Sequence, residues 1–197
     1  MLPGRLILAS TSRYRAELLA RLRLPFDVQA PDVDESPLPG EPPEARATRL
    51  ALCKAQAVAR GHTNALVIGS DQVAHCDGVT LDKPGDHRAA VAQLRHMRGR
   101  VTCFDTALAV VNTATQAVRQ TRVRTEVTLR DLSDAEIESY LRIEQPYDCA
   151  GSAKSEGLGI ALMSRLAGDD PTALIGLPLI ALCGFLRAEG VPLFAQR

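Results

Sequence analysis

A chain of 197 residues with 46% hydrophobic and 23% charged residues is long enough to bury a sizeable core and has an ordinary globular composition. Its 23 Lys and Arg are matched by 23 Asp and Glu, so no overall field draws nucleic acid or an anionic membrane surface. With 4% aromatics and no Trp, a stacking platform for single strands is not expected either.

The N-terminal "RLILAS" reads as a buried strand, and its apolar part is too short for a signal segment. "RYRAELLARL" follows as a helix with Leu18, Leu19 and Leu22 on one face. "APDVDESPLPGEPP" is rich in Pro and acid, hence a loop, and it leads into the long helix "EARATRLALCKAQAVAR", ended by Gly61. "ALVIGSD" is a second strand expected to end at Asp71, and Asp77-Gly78 marks a hairpin turn.

"DHRAAVAQLRHM" is helical, and "VTCFDTALAVVN" with "AVRQTRVRTEVTL" reads as two long antiparallel strands joined by a polar turn. "LSDAEIESYLR" opens on a capping box, Ser133 with Glu136. "CAGSAKSEGLG" is irregular. "LPLIALCGFLRAEG" is an apolar helix with Pro178 near its start and Gly190 past its end. The order predicts an α/β fold with a mixed sheet. The five cysteines are widely spaced and lack CxxC pairs, which predicts neither a zinc site nor a disulfide framework. No stretch reaches transmembrane length, so a soluble, cytoplasmic protein with no membrane or nucleic-acid partner is expected.

Four stretches carry chemistry. "ASTSRYR" lies between a strand and a helix, where free N–H groups, Ser10, Thr11 and Ser12 hydroxyls and the Arg13 and Arg15 guanidinia suit an anion. A plain Ser cap with solvated arginines accounts for the same letters, and the Walker spacing is lacking. Asp34-Glu35 sits on a Pro-flanked loop that suits Mg²⁺, or is simply a solvated acidic loop. Lys54 shares the helical face of Leu50 and Val58, as a lysine at the edge of a core or as an ammonium aimed at a ligand.

Asp71 is the fourth. If Asp77 and Gly78 form a two-residue turn, Cys76 pairs with Val79, Gln72 stands opposite Lys83, and Asp71 lies one position away from it. A cross-strand salt bridge is the bland alternative. A carboxylate at a strand end is also where α/β proteins place ligand sites. Together these cations and acids suit a triphosphate with a divalent ion.

Taken in order, "LILASTSRYRAELL", "VDES", "RLALCKAQAVA", "IGSDQV", "DKP", "CAGSAKSEGLG" and "LIGLPLIALC" closely resemble the Maf-type nucleoside triphosphate pyrophosphatases, from about residue 5 to about residue 190. Gln72 and Glu156 are similar to the branch that hydrolyses 7-methyl-GTP; the dTTP/UTP branch more often has Ala-Asp-Thr in place of Ser70-Asp71-Gln72. The resemblance implies one domain over residues 5–192. Its fold would be a twisted mixed sheet flanked by helices, in two lobes with a cleft between them, as in the Maf and inosine-triphosphatase folds. It implies cleavage between the α- and β-phosphates with Mg²⁺ or Mn²⁺, house-cleaning of modified nucleotides, and a homodimer.

By the same resemblance Asp71 is the proton acceptor. Ser10, Arg15, Glu35, Lys54 and Lys83 serve phosphate and metal, with Glu35 and Asp71 on the metal, and Tyr14, Gln72 and Glu156 tune the choice of base. Arg13 stands where relatives usually have Pro, and either adds a phosphate contact or points to solvent. The chemistry has its own logic: in-line attack by water needs a base to orient it and cations to spread charge on the leaving pyrophosphate. N7-methylation makes guanine cationic, which an aromatic face and a carboxylate favour. Competing expectations are a dTTP/UTP pyrophosphatase, a non-catalytic nucleotide-binding regulator of cell division, and a nucleotide-sugar or phosphate-monoester hydrolase that would release orthophosphate.

Overall fold

A computed structural model describes residues 4–194. Seven strands, β1 (Arg5–Ala9), β2 (Asp27–Gln29), β3 (Ala65–Cys76), β4 (Val79–Leu81), β5 (Val101–Asn112), β6 (Val118–Leu129) and β7 (Met163–Ala167), form one sheet in the order β2-β1-β3-β5-β6-β7, with β4 on β3. The helices are α1 (Arg13–Ala20), α2 (Pro43–Ala59), α3 (His87–Met97), α4 (Asp134–Glu144) and α5 (Leu179–Ala188). β1 runs parallel to both β2 and β3, while β3–β4 and β6–β7 are antiparallel, so the sheet is mixed as expected.

The chain gathers into two compact units. One holds residues up to 72, 106–123 and from 170 onward; the other holds 73–105 and 124–169. In the first, β1 after Arg5 and the start of β3 are apolar because both faces of a central parallel strand are covered. Leu6, Leu8, Leu66 and Ile68 pack with Leu18 and Leu19 of α1 and Leu182 and Leu186 of α5. Each such fully buried leucine contributes about 1.5–3 kcal/mol of transfer free energy.

The buried stripe of α2 is Ala47, Leu50, Ala51, Lys54, Ala55 and Val58, at helical spacing, so the lysine occupies a core-facing position. Gly69 lets that helix close on β3. A Cβ there would lie 2.2 Å from the Ala51 carbonyl oxygen and 2.9 Å from the Ala55 Cβ. One turn of α2 is thereby pressed onto β3 two residues before Asp71.

In the second unit Asp77 and Gly78 both take positive φ, 47° and 79°, as a type I′ hairpin turn requires. Cys76 pairs with Val79 as predicted. Two expectations need correction. β3 does not end at Asp71 but continues to Cys76, because its second half finds β4 as a partner. The ladder then stops at Ala74↔Leu81, so it does not set Gln72 opposite Lys83; Pro84, which has no N–H to pair, follows that lysine. The α4 capping box forms as predicted. Its Ile137, Tyr140 and Leu141 are buried, as are Ala90, Val91, Leu94 and Met97 of α3. β2 and β7 are not predicted by the sequence: DVQ and MSRLA are too short to carry a clear periodicity.

Candidate active site

The first unit brings seven of the predicted residues into its fold. Ser10 follows β1 and is buried; its Oγ accepts from the Ser12 N–H at 3.1 Å, and Ser12 in turn caps α1. Arg15, in the first turn of α1, is anchored by its Nε to the Gly176 carbonyl at 2.9 Å, with Nη1 3.4 Å from Ser10 Oγ. Gly176 has φ 120°, and a Cβ there would come within 3.4 Å of Arg15 Nε, so the turn before α5 is shaped around the guanidinium.

Asp71 and Lys54 form the centre. Lys54 Nζ donates to Asp71 Oδ1 at 2.6 Å and reaches Glu35 Oε1 at 2.9 Å. Both members of the first pair are buried, whereas the Glu35 side chain remains 55% exposed. Burial pushes the Asp71 carboxyl above its ordinary range; Lys54 and Arg15 pull the other way, and Glu35 adds to the rise. Burial lowers Arg15, opposed by Asp71 and Glu35, and a guanidinium stays protonated in any case.

Of the acidic pair, Glu35 is the one that meets Lys54. Asp34 Oδ1 accepts the Ser36 N–H at 2.9 Å, and the hydrogen bonds from Ser36 hold its carboxyl below the usual range. Two arginines of α2 fix this loop. Arg46 donates to the Glu35 carbonyl, while Arg49 donates to the Ser36 carbonyl and grips Glu41 with two bonds of 2.6 and 2.7 Å. The Arg49 guanidinium draws the Glu41 carboxyl down to about 2.

Gln72 is committed within its own unit. Its Nε2 lies within 3.0 Å of Thr106 Oγ1 and of the Ala173 and Leu174 carbonyls, three acceptors for two hydrogens. That amide nitrogen holds the turn before α5. Arg13 is exposed. Its guanidinium lies 4.8 Å from the centroid of the Tyr14 ring and donates to the Tyr14 hydroxyl at 2.7 Å.

Lys83 and Glu156 belong to the second unit, and both are exposed. Glu156 rides a turn anchored on either side: Tyr140 Oη accepts the Lys154 N–H at 3.1 Å, and Glu144 accepts the Leu158 N–H at 2.8 Å. Sequence reasoning missed Ser70, whose Oγ lies 2.7 Å from the Ala107 carbonyl and 2.9 Å from that of Gly176. Its only signal was its place beside Asp71.

Among the described residues no group of three or more His, Cys, Asp or Glu could hold a metal by itself. Two carboxylates, Asp71 and Glu35, do meet at one ammonium. That donor set fits a Mg²⁺-like ion, which takes one or two carboxylates and completes its shell with water and phosphate. All five cysteines are free thiols. No helix among the described residues is long and apolar enough to cross a membrane.

The first unit thus carries a buried Asp71–Lys54 pair, and Arg15 at the start of α1 is anchored to Gly176. The sequence model described as "Maf-like protein" matches residues 5–189, and the chain belongs to that family. It is 61% identical over 192 residues to a 7-methyl-GTP pyrophosphatase of Polaromonas sp., covering 98% of this chain and 88% of that one. It is 60% identical to one from Cupriavidus pinatubonensis, covering 97% and 96%, and 62% identical to one from Thiobacillus denitrificans, covering 94% and 92%. Among solved structures, the Staphylococcus aureus Ham1 protein matches at a TM-score of 0.45 and 15% identity over 65% of this chain and 73% of that one, a likeness too weak to bear on function.

Proposed function

We propose that the protein hydrolyses a nucleoside triphosphate, 7-methyl-GTP foremost, between its α- and β-phosphates, releasing the nucleoside monophosphate and pyrophosphate. The observation that carries this reading is the buried Asp71 carboxylate bonded to Lys54, itself shared with Glu35. The three relatives described above are each named a 7-methyl-GTP pyrophosphatase, which supports the choice of substrate.

In this mechanism Asp71 accepts a proton from the attacking water. Lys54 holds one of its oxygens and, with Arg15, favours the ionised form against burial. Arg15, fixed by Gly176 and Ser10, offers donors to phosphate oxygens, and the N–H groups at the start of α1 add to them. Asp71 and Glu35 would hold Mg²⁺ or Mn²⁺, which would neutralise charge on the phosphates. Lys83 stabilises the leaving pyrophosphate. Tyr14 and Glu156 favour the cationic methylated base, and the Gln72 carbonyl oxygen accepts from its edge.

The protein thereby clears modified nucleotides in the cytoplasm, as a homodimer. A panel of 7-methyl-GTP, GTP, dTTP and UTP, with pyrophosphate detection and with or without Mg²⁺, tests the reading. Pyrophosphate released fastest from 7-methyl-GTP is expected. Preference for dTTP or UTP would move the protein to the other branch, and binding without turnover would make it a regulator.

A further inference from the structure

Gln93, on the second turn of α3, faces two segments that the proposed function uses. Its Nε2 donates to the Asp82 carbonyl at 2.7 Å, immediately before Lys83. Its Oε1 accepts from Ser152 Oγ, also at 2.7 Å, in the Gly/Ser-rich segment that leads to Glu156. Ser152 is fully buried with φ 55°, a conformation that a non-glycine residue holds only under constraint. Gly151 beside it, at φ 69°, leaves only 3.3 Å to the Phe104 ring for a Cβ.

The same two segments meet again on the other side of Lys83. The Gly85 N–H donates to the Tyr147 carbonyl at 3.0 Å. The His87 ring bridges the Tyr147 hydroxyl at 3.0 Å and Glu138 at 2.9 Å. Asp86 caps α3 through the Ala89 N–H. The four residues around Lys83 are thus tied at both ends to residues 147–152.

We propose that Gln93 is a positioning residue for the reaction, whose two-ended amide locks the Lys83 turn to the Glu156 segment. This rests on the roles given above to Lys83 and Glu156. An amide is the side chain that fits, because it donates to a carbonyl at one end and accepts from a hydroxyl at the other. The two ends make the inference separable by mutation. Gln93→Glu keeps the acceptor for Ser152 but sets an acceptor against the Asp82 carbonyl, releasing the Lys83 side. Ser152→Ala keeps the donor to Asp82 and releases the Glu156 side. Ser152→Gly does the same at a backbone φ that glycine prefers, should the alanine variant not fold.

The experiment is steady-state pyrophosphate release from 7-methyl-GTP and GTP by the full chain and these variants, with melting temperatures alongside. Gln93→Glu is expected to lower kcat about tenfold for both nucleotides, the effect of one hydrogen bond's worth of misplacement. Its ratio between the nucleotides should stay as in the parent. Ser152→Ala is expected to lower the 7-methyl-GTP to GTP ratio while kcat stays within about twofold. The inference is overturned if both variants depress both substrates by one common factor, or if neither changes anything. A parent chain that releases pyrophosphate from no nucleotide would instead overturn the proposed function.

Discussion

Replacing Lys54 by methionine keeps most of its stem in the buried stripe of α2 and removes only the ammonium. Asp71 then loses its 2.6 Å partner while remaining buried, and Glu35 loses its cation at 2.9 Å. Removing one member of a buried ion pair costs about 3–5 kcal/mol. The half-exposed Glu35 is re-solvated by water and adds little, so the lower end, about 3 kcal/mol, is the expectation. At about 2–4 °C per kcal/mol for a chain of this size, the melting temperature falls by about 6–12 °C.

The pH dependence gives the sign. The Asp71 carboxyl is already raised by burial in the folded state, so its ionised form opposes folding. A group raised in this way supports the fold at low pH and loses that support as pH rises through its folded value. Without Lys54 the rise grows, so Lys54→Met is less destabilised in mildly acidic buffer than at neutral pH. Adding Asp71→Asn restores much of the lost stability. Melting curves of the two single variants and the double variant at two pH values measure this coupling. A Lys54→Met variant as stable as the parent at neutral pH would refute the buried pair as the source of the effect.

Asp71→Asn alone retains nucleotide binding and loses about 10²- to 10⁴-fold in turnover; isothermal titration and pyrophosphate release check the two parts. In the metal-free protein the Asp71 carboxyl titrates above the ordinary carboxylate range because burial raises it, and carboxyl-carbon NMR over a pH series measures it. Gly176→Ala forces a side chain onto φ 120° and against Arg15, costing about 1–3 kcal/mol of stability and weakening triphosphate binding, which melting and titration together reveal.

Much of this site was legible from residue spacing. The repeat of α2 placed Lys54 between Leu50 and Val58 on the buried face, and that is where it lies. The Asp77-Gly78 turn set the β3–β4 register because a type I′ turn admits few other residues. What could not be read were contacts between segments distant in sequence. Lys54 meeting Glu35 across a Pro-rich loop depends on Arg46 and Arg49, whose acceptors include backbone carbonyls invisible in the letters. Gln72 read as a base-contacting side chain, yet its amide nitrogen is bound to a turn a hundred residues away. The extension of β3 past Asp71 was hidden because Gly69 and Ser70 looked like the end of a strand, when Gly69 marks the helix pressed on it.

The most direct test of Asp71 as the base of an α–β cleavage is phosphorus NMR of the products from 7-methyl-GTP, for the parent and for Asp71→Asn. The parent should yield 7-methyl-GMP and pyrophosphate with no orthophosphate, and the variant should leave the triphosphate intact over the same period. Orthophosphate with 7-methyl-GDP, or undiminished cleavage by the variant, would contradict the account.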